Sequence, residues 1–517
     1  MAAWEWVNRF VDRLPGDPET GPRRRQVGAA WSSVMPTPVA APRVVAVSAD
    51  MLHELGLGPQ DAASPVFVQV FGGNRCLPGM QPHAGNYGGH QFGSWAGQLG
   101  DGRAITLGEI RLADGQCREL QLKGAGPTPY SRHADGRAVL RSSIREFICS
   151  EAMHHLGIPT TRALALVATG EGVVRDMFYD GNARAEPGAI VTRVAPSFLR
   201  FGHFELPASR GDIALLRQLA DFCIERDFPH LAGRDDALPA WFREIAGRTA
   251  WLVAEWMRVG FVHGVMNTDN MSTSGLTIDY GPYGWIDAYD PDFTPNTTDA
   301  HGRRYRFGWQ PRIALWNLQQ LAAALSPLFP DPAPLQQGLR AYGQAFAEHD
   351  RDNAARKLGL ETGDAEALPL MRALQAWMHK ASADMTIFFR LLGEEALEAL
   401  DAAHFAAASR EGRWPDAQAE ALDEWLARYR RHLKAAGVDA GQRRETLRRA
   451  NPAFIPRNWL LQQAIERAEA GDDGGIQSLL EAMRTPYEDV PGRDVRDGLP
   501  PDWSLDKAGC SMLSCSS

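Results

Sequence analysis

A glycine-rich turn and a lysine that ends a strand-like segment are the first residues suited to phosphate chemistry. Gly100, Asp101, Gly102 and Arg103 make a plausible anion cradle, because backbone N–H groups in a glycine-rich turn approach phosphate closely where no Cβ intervenes. Lys123 ends an alternating segment and is followed by Gly-Ala-Gly, so its ammonium group could contact a phosphate. Each feature alone is more typical of an ordinary turn and a solvated lysine.

Glu146 lies on an amphipathic helix predicted for residues 138–156. If its side of the helix faces inward, the carboxylate could pair with Lys123 and hold the ammonium group in place. The alternative is an exposed carboxylate that pairs with an arginine of its own helix, Arg141 or Arg145.

The polar segment HGVMNTDN, residues 263–270, contains oxygen ligands for a metal and precedes the strand-like segment 276–279. Asn270 and Asp279 are hard oxygen donors that could share one Mg²⁺ or Mn²⁺ ion, with nucleotide phosphates completing the shell. A lone aspartate after an apolar strand is more often a turn or cap residue. The lysine and the glycine-rich turn elsewhere in the chain favour the metal site.

Two arginines, Arg193 and Arg200, lie seven residues apart around a proline that interrupts any single helix. Both guanidinium groups could therefore point at one anion, and bidentate arginine suits the terminal oxygens of a phosphate. Two surface ion pairs are an equally open interpretation of these residues alone.

The elements that must position these residues form a β-rich part followed by a helical part. Strands are predicted at 66–71, 104–112, 118–123, 163–168, 173–178 and 189–194. Helical periodicity recurs at 212–225, 239–259, 311–325, 334–348 and 368–392, with β-like pieces at 276–279 and 285–287. We therefore predict an α+β fold with a small β-rich lobe, which contains one key helix, and a larger α-helical lobe.

Four regions follow from this pattern. The proline- and tryptophan-rich residues 1–60 are predicted to be an N-terminal extension, an extended arm laid over the core. Residues 61–205 form the nucleotide-binding lobe, and residues 206–480 form the helical lobe with the catalytic and metal-binding loop. Residues 481–517, rich in Pro, Gly and acidic residues, are predicted to be a loosely attached tail that ends in Cys-Ser-Ser.

Composition narrows the function classes. The chain has 517 residues, a net charge of −9 and a pI near 5.9, which argue against nucleic acid or an anionic membrane as a partner. No apolar run approaches the roughly 18 residues of a membrane-spanning helix, and the N-terminus has acidic residues where a signal peptide has an apolar core. A cytoplasmic location is therefore expected.

The glycine-rich turn, strand lysine, helix glutamate, loop asparagine and strand-end aspartate occur in the order found in protein kinases. This order is more specific than any one of its members. A kinase catalytic loop has an aspartate five residues before its asparagine, however, and Val265 occupies that position here. The substitution weakens the case for transfer of the γ-phosphate.

The chain resembles the selenoprotein O (YdiU) family in motifs that span residues 85–285. These motifs are GNYGGHQFGSWAGQLGDGR, QLKGAGPTPYSR, ADGRAVLRSSIREF, RVAPSFLRFGHFE, HGVMNTDNMS and IDYGPYGW. The terminal Cys515-Ser516-Ser517 is similar to that family's ending, where selenoprotein members carry selenocysteine in place of this cysteine.

This resemblance implies a protein-kinase-like bilobal fold that binds ATP in a flipped orientation, with the α-phosphate exposed to the acceptor. It implies a protein adenylyltransferase that moves AMP from ATP to Ser, Thr or Tyr hydroxyls of protein substrates and releases pyrophosphate, with UTP as an alternative donor of UMP. Mg²⁺ or Mn²⁺ is the expected cofactor, and a monomer the expected assembly state. A protein kinase and a non-catalytic, ATP-binding pseudokinase scaffold are the alternatives.

Carried over position by position, the resemblance also implies roles for individual residues. Nucleotide binding is assigned to Gly100, Gly102, Arg103, Lys123, Asp135, Gly136, Arg193, Arg200 and Asp279. Glu146 pairs with Lys123, and Asn270 and Asp279 are the metal ligands. Asp269 is the expected proton acceptor because it adjoins a metal ligand. Its pKa need not be raised, since the charge of the metal would keep it ionised.

The tail cysteines Cys510 and Cys515 are candidates for redox chemistry. Four residues separate them, which permits a disulfide without requiring one, and a free terminal thiol is the alternative. No cysteine lies between Cys223 and Cys510, so a disulfide between the tail and residues 271–300 cannot form in this chain.

Overall fold

The computed structural model describes residues 4–22, 26–178, 180–489, 498–510 and 512–514. These residues form an α+β fold with one large sheet and many helices, as predicted. The strands are β1 Glu5–Trp6, β2 Gly16–Asp17, β3 Trp31–Ser33, β4 Arg43–Val47, β5 His83–Gly85, β6 Gly88–Gln91, β7 Ser94–Gln98, β8 Ala104–Arg111, β9 Cys117–Lys123, β10 Ala138–Val139, β11 Arg162–Arg175, β12 Arg184–Ala195, β13 Phe261–Val262 and β14 Gly284–Trp285. The helices are α1 Arg9–Arg13, α2 Ala49–Glu54, α3 Pro59–Ala62, α4 Pro65–Phe71, α5 Leu140–His155, α6 Gly202–Ser209, α7 Ile213–Asp227, α8 Ala237–Val259, α9 Gln310–Leu325, α10 Ala333–Lys357, α11 Ala367–Ala381, α12 Met385–Leu391, α13 Asp416–Ala436, α14 Ala440–Ala450, α15 Asn458–Glu469 and α16 Gly474–Arg484.

The main sheet runs in the order β2-β3-β5-β8-β9-β12-β11-β4, with β1 paired to β8 and β10 to β12. Around β9 the pairing is antiparallel, and Lys123 lies opposite Val191 of β12. In the same ladder Gln121 lies opposite Arg193. Since directly opposed residues and residues two apart along a strand share a face, Lys123, Gln121 and Arg193 lie on one face of the sheet.

Helix α5 packs on this sheet and contacts β11 and β12. Its apolar side chains Ile144, Phe147 and Ile148 are fully buried, and each such burial contributes about 2 kcal/mol to folding. The helix ends before Gly157, whose φ of 78° is the left-handed conformation that glycine adopts without strain. This packing directs Glu146 toward Lys123.

Helices α6–α16 form the helical part around two apolar clusters. The segment between α8 and α9 contains the short antiparallel pair β13–β14 and a 3₁₀ turn, Thr268–Asn270. Gly260 ends α8 with a φ of 77°. The predicted interruption of the helical pattern is therefore present, and it carries the polar loop of the site.

Residues 66–71 form helix α4 instead of the predicted strand. Ser64 caps this helix by accepting a hydrogen bond from the backbone N–H of Phe67, and Pro65 occupies its first turn. The run is almost uniformly apolar, so its periodicity does not distinguish a buried helix from a strand. The N-terminal serine and proline were the informative residues.

Other predicted elements differ in extent. The predicted strands 163–168 and 173–178 are largely parts of one strand, β11, and 276–279 makes a single bridge to Thr160 instead of a strand. The predicted helix 368–392 is two helices, α11 and α12, because Ser382 adopts a left-handed φ of 51° and Asp384 caps α12.

Both ends of the chain contribute more to the fold than predicted. Strand β4 forms an edge of the main sheet beside β11, so the N-terminal residues supply strands as well as covering the core. In the tail, the backbone N–H of Leu513 donates to the carbonyl of Pro295 at 3.0 Å, which ties this part of the tail to the helical part. Among the described residues, no helix combines the length and apolar character needed to cross a membrane.

Candidate nucleotide-binding site

A cleft of about 650 Å³ opens between the main sheet and the segment that joins α8 to α9. A cavity of this size is typical of small-molecule and cofactor sites. Most of the predicted site residues line it: Gly100, Gly102, Arg103, Lys123, Gly136, Arg193, Arg200, Asp269, Asn270 and Asp279. Val265, at the position of the missing kinase aspartate, lines it as well.

Lys123 and Glu146 form the predicted ion pair, with 2.6 Å between Nζ and Oε2. Burial lowers the pKa of Lys123, and the charges of Glu146 and Asp279 oppose this effect. The alternative, in which Glu146 pairs with an arginine of its own helix, is not observed. Arg145 donates to the carbonyl of Tyr283 at 2.6 Å, and Arg141 pairs with Glu186.

Arg193 and Arg200 converge on one anion, and in this structure the anion is the carboxylate of Asp279. Arg193 also lies 3.1 Å from Glu146, while Arg200 donates to the backbone carbonyl of Asp269 at 2.8 Å. Both arginines are 2% exposed or less, so surface ion pairs are excluded. These charges sit in a low-dielectric environment, where they act strongly on one another.

Asp279 is held as an anion by its neighbours. Burial alone would raise the pKa of this carboxyl, but Arg200, Arg193 and Lys123 hold it well below its usual range. Its φ of 55° is left-handed, which is uncommon for a residue other than glycine and costs about 1 kcal/mol or more. The surrounding cations offset this strain and fix the side chain at the cleft.

The glycine-rich turn is held against the loop that follows β9. Gly100 has a φ of 72°, and a Cβ there would lie 2.3 Å from the ring of Tyr130. Thr128 donates its hydroxyl to the carbonyl of Asp101 at 2.7 Å, and Ser131 donates to that of Gly102. The backbone N–H groups of Gly100 and Asp101 donate to the carbonyls of Tyr87 and Gly85 at 3.0 and 2.9 Å, so these two donors of the predicted cradle are already engaged within the fold.

Gly136 and Asp135 lie at the end of the same loop. A Cβ on Gly136 would lie 2.1 Å from the carbonyl oxygen of Gly126, so the two chain segments meet where a side chain cannot fit. Asp135 does not line the cleft. It pairs with Arg175 at 2.6 Å, and Arg175 does line the cleft, so the structure places Asp135 behind a cation of the site.

Asn270 and Asp279 carry oxygen atoms of the type that binds a divalent ion, although both carboxylate oxygens of Asp279 are bonded to arginines in this structure. The side-chain amide of Asn270 donates to the carbonyl of Val265 at 2.8 Å, which commits its nitrogen and leaves its oxygen as an acceptor. Both residues line the cleft, and hard oxygen donors suit Mg²⁺ or Mn²⁺. Two protein ligands make an incomplete shell, which nucleotide phosphates typically complete.

Asp269, the predicted proton acceptor, is 8% exposed, and its Oδ1 is buried without a hydrogen-bond partner. Burial raises the pKa of this carboxyl to about 7, although the positive charge of Arg200 opposes the shift. From the sequence we expected no such rise in the pKa, because the charge of a bound metal would keep the carboxyl ionised. The shift arises because the carboxyl is almost completely buried.

Two polar side chains of the site, Gln121 and Gln91, were not predicted from the sequence, and Asp101 was predicted only as part of the glycine-rich turn. Gln121 accepts a hydrogen bond from Arg193, and Asp101 lies 3.8 Å from Arg200 and accepts from the N–H of Gly85 at 2.9 Å. Gln91 donates to Asp269 at 3.3 Å. The alternation of β9 placed Gln121 on the same face as Lys123, but the sequence held no comparable signal for Gln91.

The predicted redox pair is only partly within the described residues. Cys510 is a buried free cysteine, and burial raises the pKa of its thiol to about 11. A thiol with so high a pKa is a poor nucleophile near neutral pH. Cys515 lies outside the described residues.

Comparisons with known proteins agree on one family. The model of the family described as "Protein adenylyltransferase SelO" matches residues 20–484. Protein nucleotidyltransferase YdiU of Xanthomonas axonopodis pv. citri is 62% identical over 518 residues, and 100% of each chain is covered. Its namesake in Xanthomonas euvesicatoria pv. vesicatoria is also 62% identical, and one in Xanthomonas oryzae pv. oryzae is 61% identical, both at the same coverage.

A buried set of cations around a cleft, in a chain so similar to these relatives, defines a protein nucleotidyltransferase. The chain belongs to the protein adenylyltransferase SelO family. The resemblance drawn from the motifs is therefore confirmed, and it extends well beyond residues 85–285.

Proposed function

We propose that this protein transfers AMP from ATP to Ser, Thr or Tyr hydroxyls of proteins and releases pyrophosphate. The observation that carries the proposal is the convergence of Lys123, Arg193 and Arg200 on Asp279 in the cleft. Glu146 also pairs with Lys123 and Arg193, and Asp101 lies 3.8 Å from Arg200, so a triphosphate would compete with these carboxylates for the three cations. Arg103 and Arg132 add positive charge to the lining of the cleft. Family membership supports AMP as the transferred group.

The two buried arginines favour a flipped nucleotide. Arg193 and Arg200 lie deep in the cleft, where bidentate guanidinium groups suit the terminal phosphate. A γ-phosphate held there leaves the α-phosphate nearer the mouth of the cleft. The acceptor oxygen would then bond to the α-phosphorus while the bond to the bridging oxygen of the β-phosphate breaks.

The remaining residues have complementary roles in this proposal. Asp269 takes the proton of the acceptor hydroxyl, and the glycine-rich turn with Arg103 and Gly136 holds the nucleotide. Lys123, kept in place by Glu146, offsets charge on the phosphates. Asn270 and Asp279 would hold Mg²⁺ or Mn²⁺, which when bound neutralises phosphate charge in the transition state.

This assignment implies a protein-kinase-like bilobal architecture. The nucleotide-binding lobe would span residues 61–205 and the helical lobe residues 206–480, with the cleft between them. Val265 in place of an aspartate weakens the kinase alternative, because a kinase base is missing at that position.

Isotope position distinguishes the candidate functions. The protein is incubated with Mn²⁺ and with either α-³²P-ATP or γ-³²P-ATP, using dephosphorylated casein as the acceptor. We expect label from the α position alone. Label from the γ position alone would make the protein a kinase, and ATP binding without transfer of either label would make it a pseudokinase scaffold. Intact-mass spectrometry should show an added AMP, and replacing ATP with UTP tests UMP transfer.

A further inference from the structure

The β6–β7 hairpin, residues 88–98, is bound directly to the loop that carries Asp269. The backbone N–H of His90 donates to the hydroxyl of Thr268 at 2.7 Å. The backbone N–H of Phe92 donates to Oδ1 of Asn267 at 3.1 Å. His90 and Phe92 are two residues apart at the end of β6, and they thus hold Thr268 and Asn267, which are consecutive in the loop.

Phe92 shows that this attachment is strong enough to hold an unfavourable backbone. Its φ of 51° is left-handed, which costs a bulky residue about 1 kcal/mol or more. Its N–H also lies 2.9 Å from the hydroxyl of Tyr305, which itself donates to Asn267 at 2.5 Å. The hairpin and the loop are therefore held in one register by a closed set of hydrogen bonds.

Gln91 lies between these two anchors and points its amide at the candidate base. Its Nε2 lies 3.3 Å from Oδ2 of Asp269, and within the described residues it is the single side chain that donates to this carboxylate. Oδ1 is buried against Gly89, where an added Cβ would lie 2.7 Å away. The hairpin thus contacts both carboxylate oxygens, one by a hydrogen bond and one by close packing.

We infer that Gln91 is a positioning residue that orients the carboxylate of Asp269 toward the acceptor hydroxyl. The inference rests on the proposed function, because it takes Asp269 as the proton acceptor. The terminal torsion of an aspartate has a broad, roughly two-fold energy profile, so a directional hydrogen bond decides its orientation. Misalignment of a reacting group by about 1 Å can cost on the order of 10²-fold in rate.

A double-mutant cycle tests this role. Turnover of α-³²P-ATP with casein is measured for the wild type, Gln91→Leu, Asp269→Asn and the double variant. We expect Gln91→Leu to lower kcat by about tenfold or more and to leave the KM for ATP within about twofold of the wild type. In the Asp269→Asn background, Gln91→Leu should have no further effect on kcat. Effects that multiply in the two backgrounds, or an unchanged kcat for Gln91→Leu, would overturn the inference.

Two further variants keep the test independent of folding. Gln91→Asn retains the amide on a side chain one methylene shorter, so it should lose the contact and match Gln91→Leu. Ser94→Ala changes an exposed residue of the same hairpin and should behave as the wild type. If the wild type itself transfers no label, the proposed function fails. If it transfers label and the Gln91 variants are unimpaired, only the positioning role fails.

Discussion

The guanidinium group of Arg200 is bonded to the carboxylate of Asp279, the residue proposed to hold the metal. Arg193 bonds to the other oxygen of the same carboxylate. Both oxygens of the carboxylate are thus committed to arginines. A nucleotide would give the arginines a second anion, and Asp279 would then be available to a cation.

This relationship predicts that nucleotide and metal bind cooperatively. A non-hydrolysable ATP analogue should increase the affinity for Mn²⁺ by about tenfold or more, a typical size for coupling between two sites. Isothermal titration of Mn²⁺ into the protein with and without the analogue, corrected by a titration of Mn²⁺ into the analogue alone, measures the effect. Equal affinities in the two titrations would show that the arginines do not compete with the metal for Asp279.

The buried pair of Lys123 and Glu146 should respond unequally to removal of its two members. Without Lys123, Glu146 still lies 3.1 Å from Arg193, so Lys123→Met should cost only about 1 kcal/mol of stability. Without the glutamate charge, Lys123 and Arg193 lose a shared counter-ion, and Glu146→Gln should cost about 3 kcal/mol or more.

Urea unfolding of the two variants and the wild type measures these losses. Glu186→Gln is a matched control, since that carboxylate pairs with Arg141 of the same helix but lies outside the cleft. It should cost less than Glu146→Gln. Equal losses for Lys123→Met and Glu146→Gln would mean that Arg193 does not compensate for the missing lysine.

His83 should make the protein less stable in mild acid. The ring is 5% exposed, and burial lowers its pKa from 6.5 to about 4. Between these values the unfolded chain binds a proton that the folded chain does not, so the free energy of unfolding falls as pH falls through this window. From pH 7 to pH 5 this residue should account for about 2 kcal/mol.

The comparison of wild type with His83→Gln isolates this contribution. Unfolding is followed in urea at pH 7 and pH 5 for both proteins. The wild type should lose about 2 kcal/mol more than the variant over this interval, whatever the variant's stability at pH 7. The same loss in both proteins would assign the acid sensitivity to other groups.

The sequence predicted best those residues whose charged side chains stand next to apolar segments. Lys123, Glu146 and Asp279 occur in the order found in protein kinases, and the structure brings them together. Gln91 gave no such signal, because its partner Asp269 is 178 residues away and polar residues at hairpin ends are common. Contacts of this kind depend on the register of the whole fold.

The secondary-structure prediction was wrong at residues 66–71 for a related reason. A run of buried apolar side chains is equally compatible with a helix and with a strand. The cap at Ser64 is the feature that indicates the helix. The single long helix predicted at 368–392 is interrupted at Ser382, which adopts a left-handed φ of 51°, and at Asp384, which caps the next helix. Local patterns therefore predicted the type of fold better than the ends of its elements.

The two aspartates of the loop should contribute unequally to transfer. Asp269→Ala removes a general base, which is worth about 10²–10⁴-fold, and leaves the cation cluster intact. Asp279→Ala removes a proposed metal ligand and the carboxylate that three cations share, so its activity should fall further, to background. Affinity for the ATP analogue with Mn²⁺ should stay near the wild-type value in Asp269→Ala and weaken in Asp279→Ala. Single-turnover transfer of α-³²P label and isothermal titration measure the two quantities separately. If Asp269→Ala proved as inactive as Asp279→Ala while still binding the nucleotide, proton transfer and not charge neutralisation would dominate the barrier.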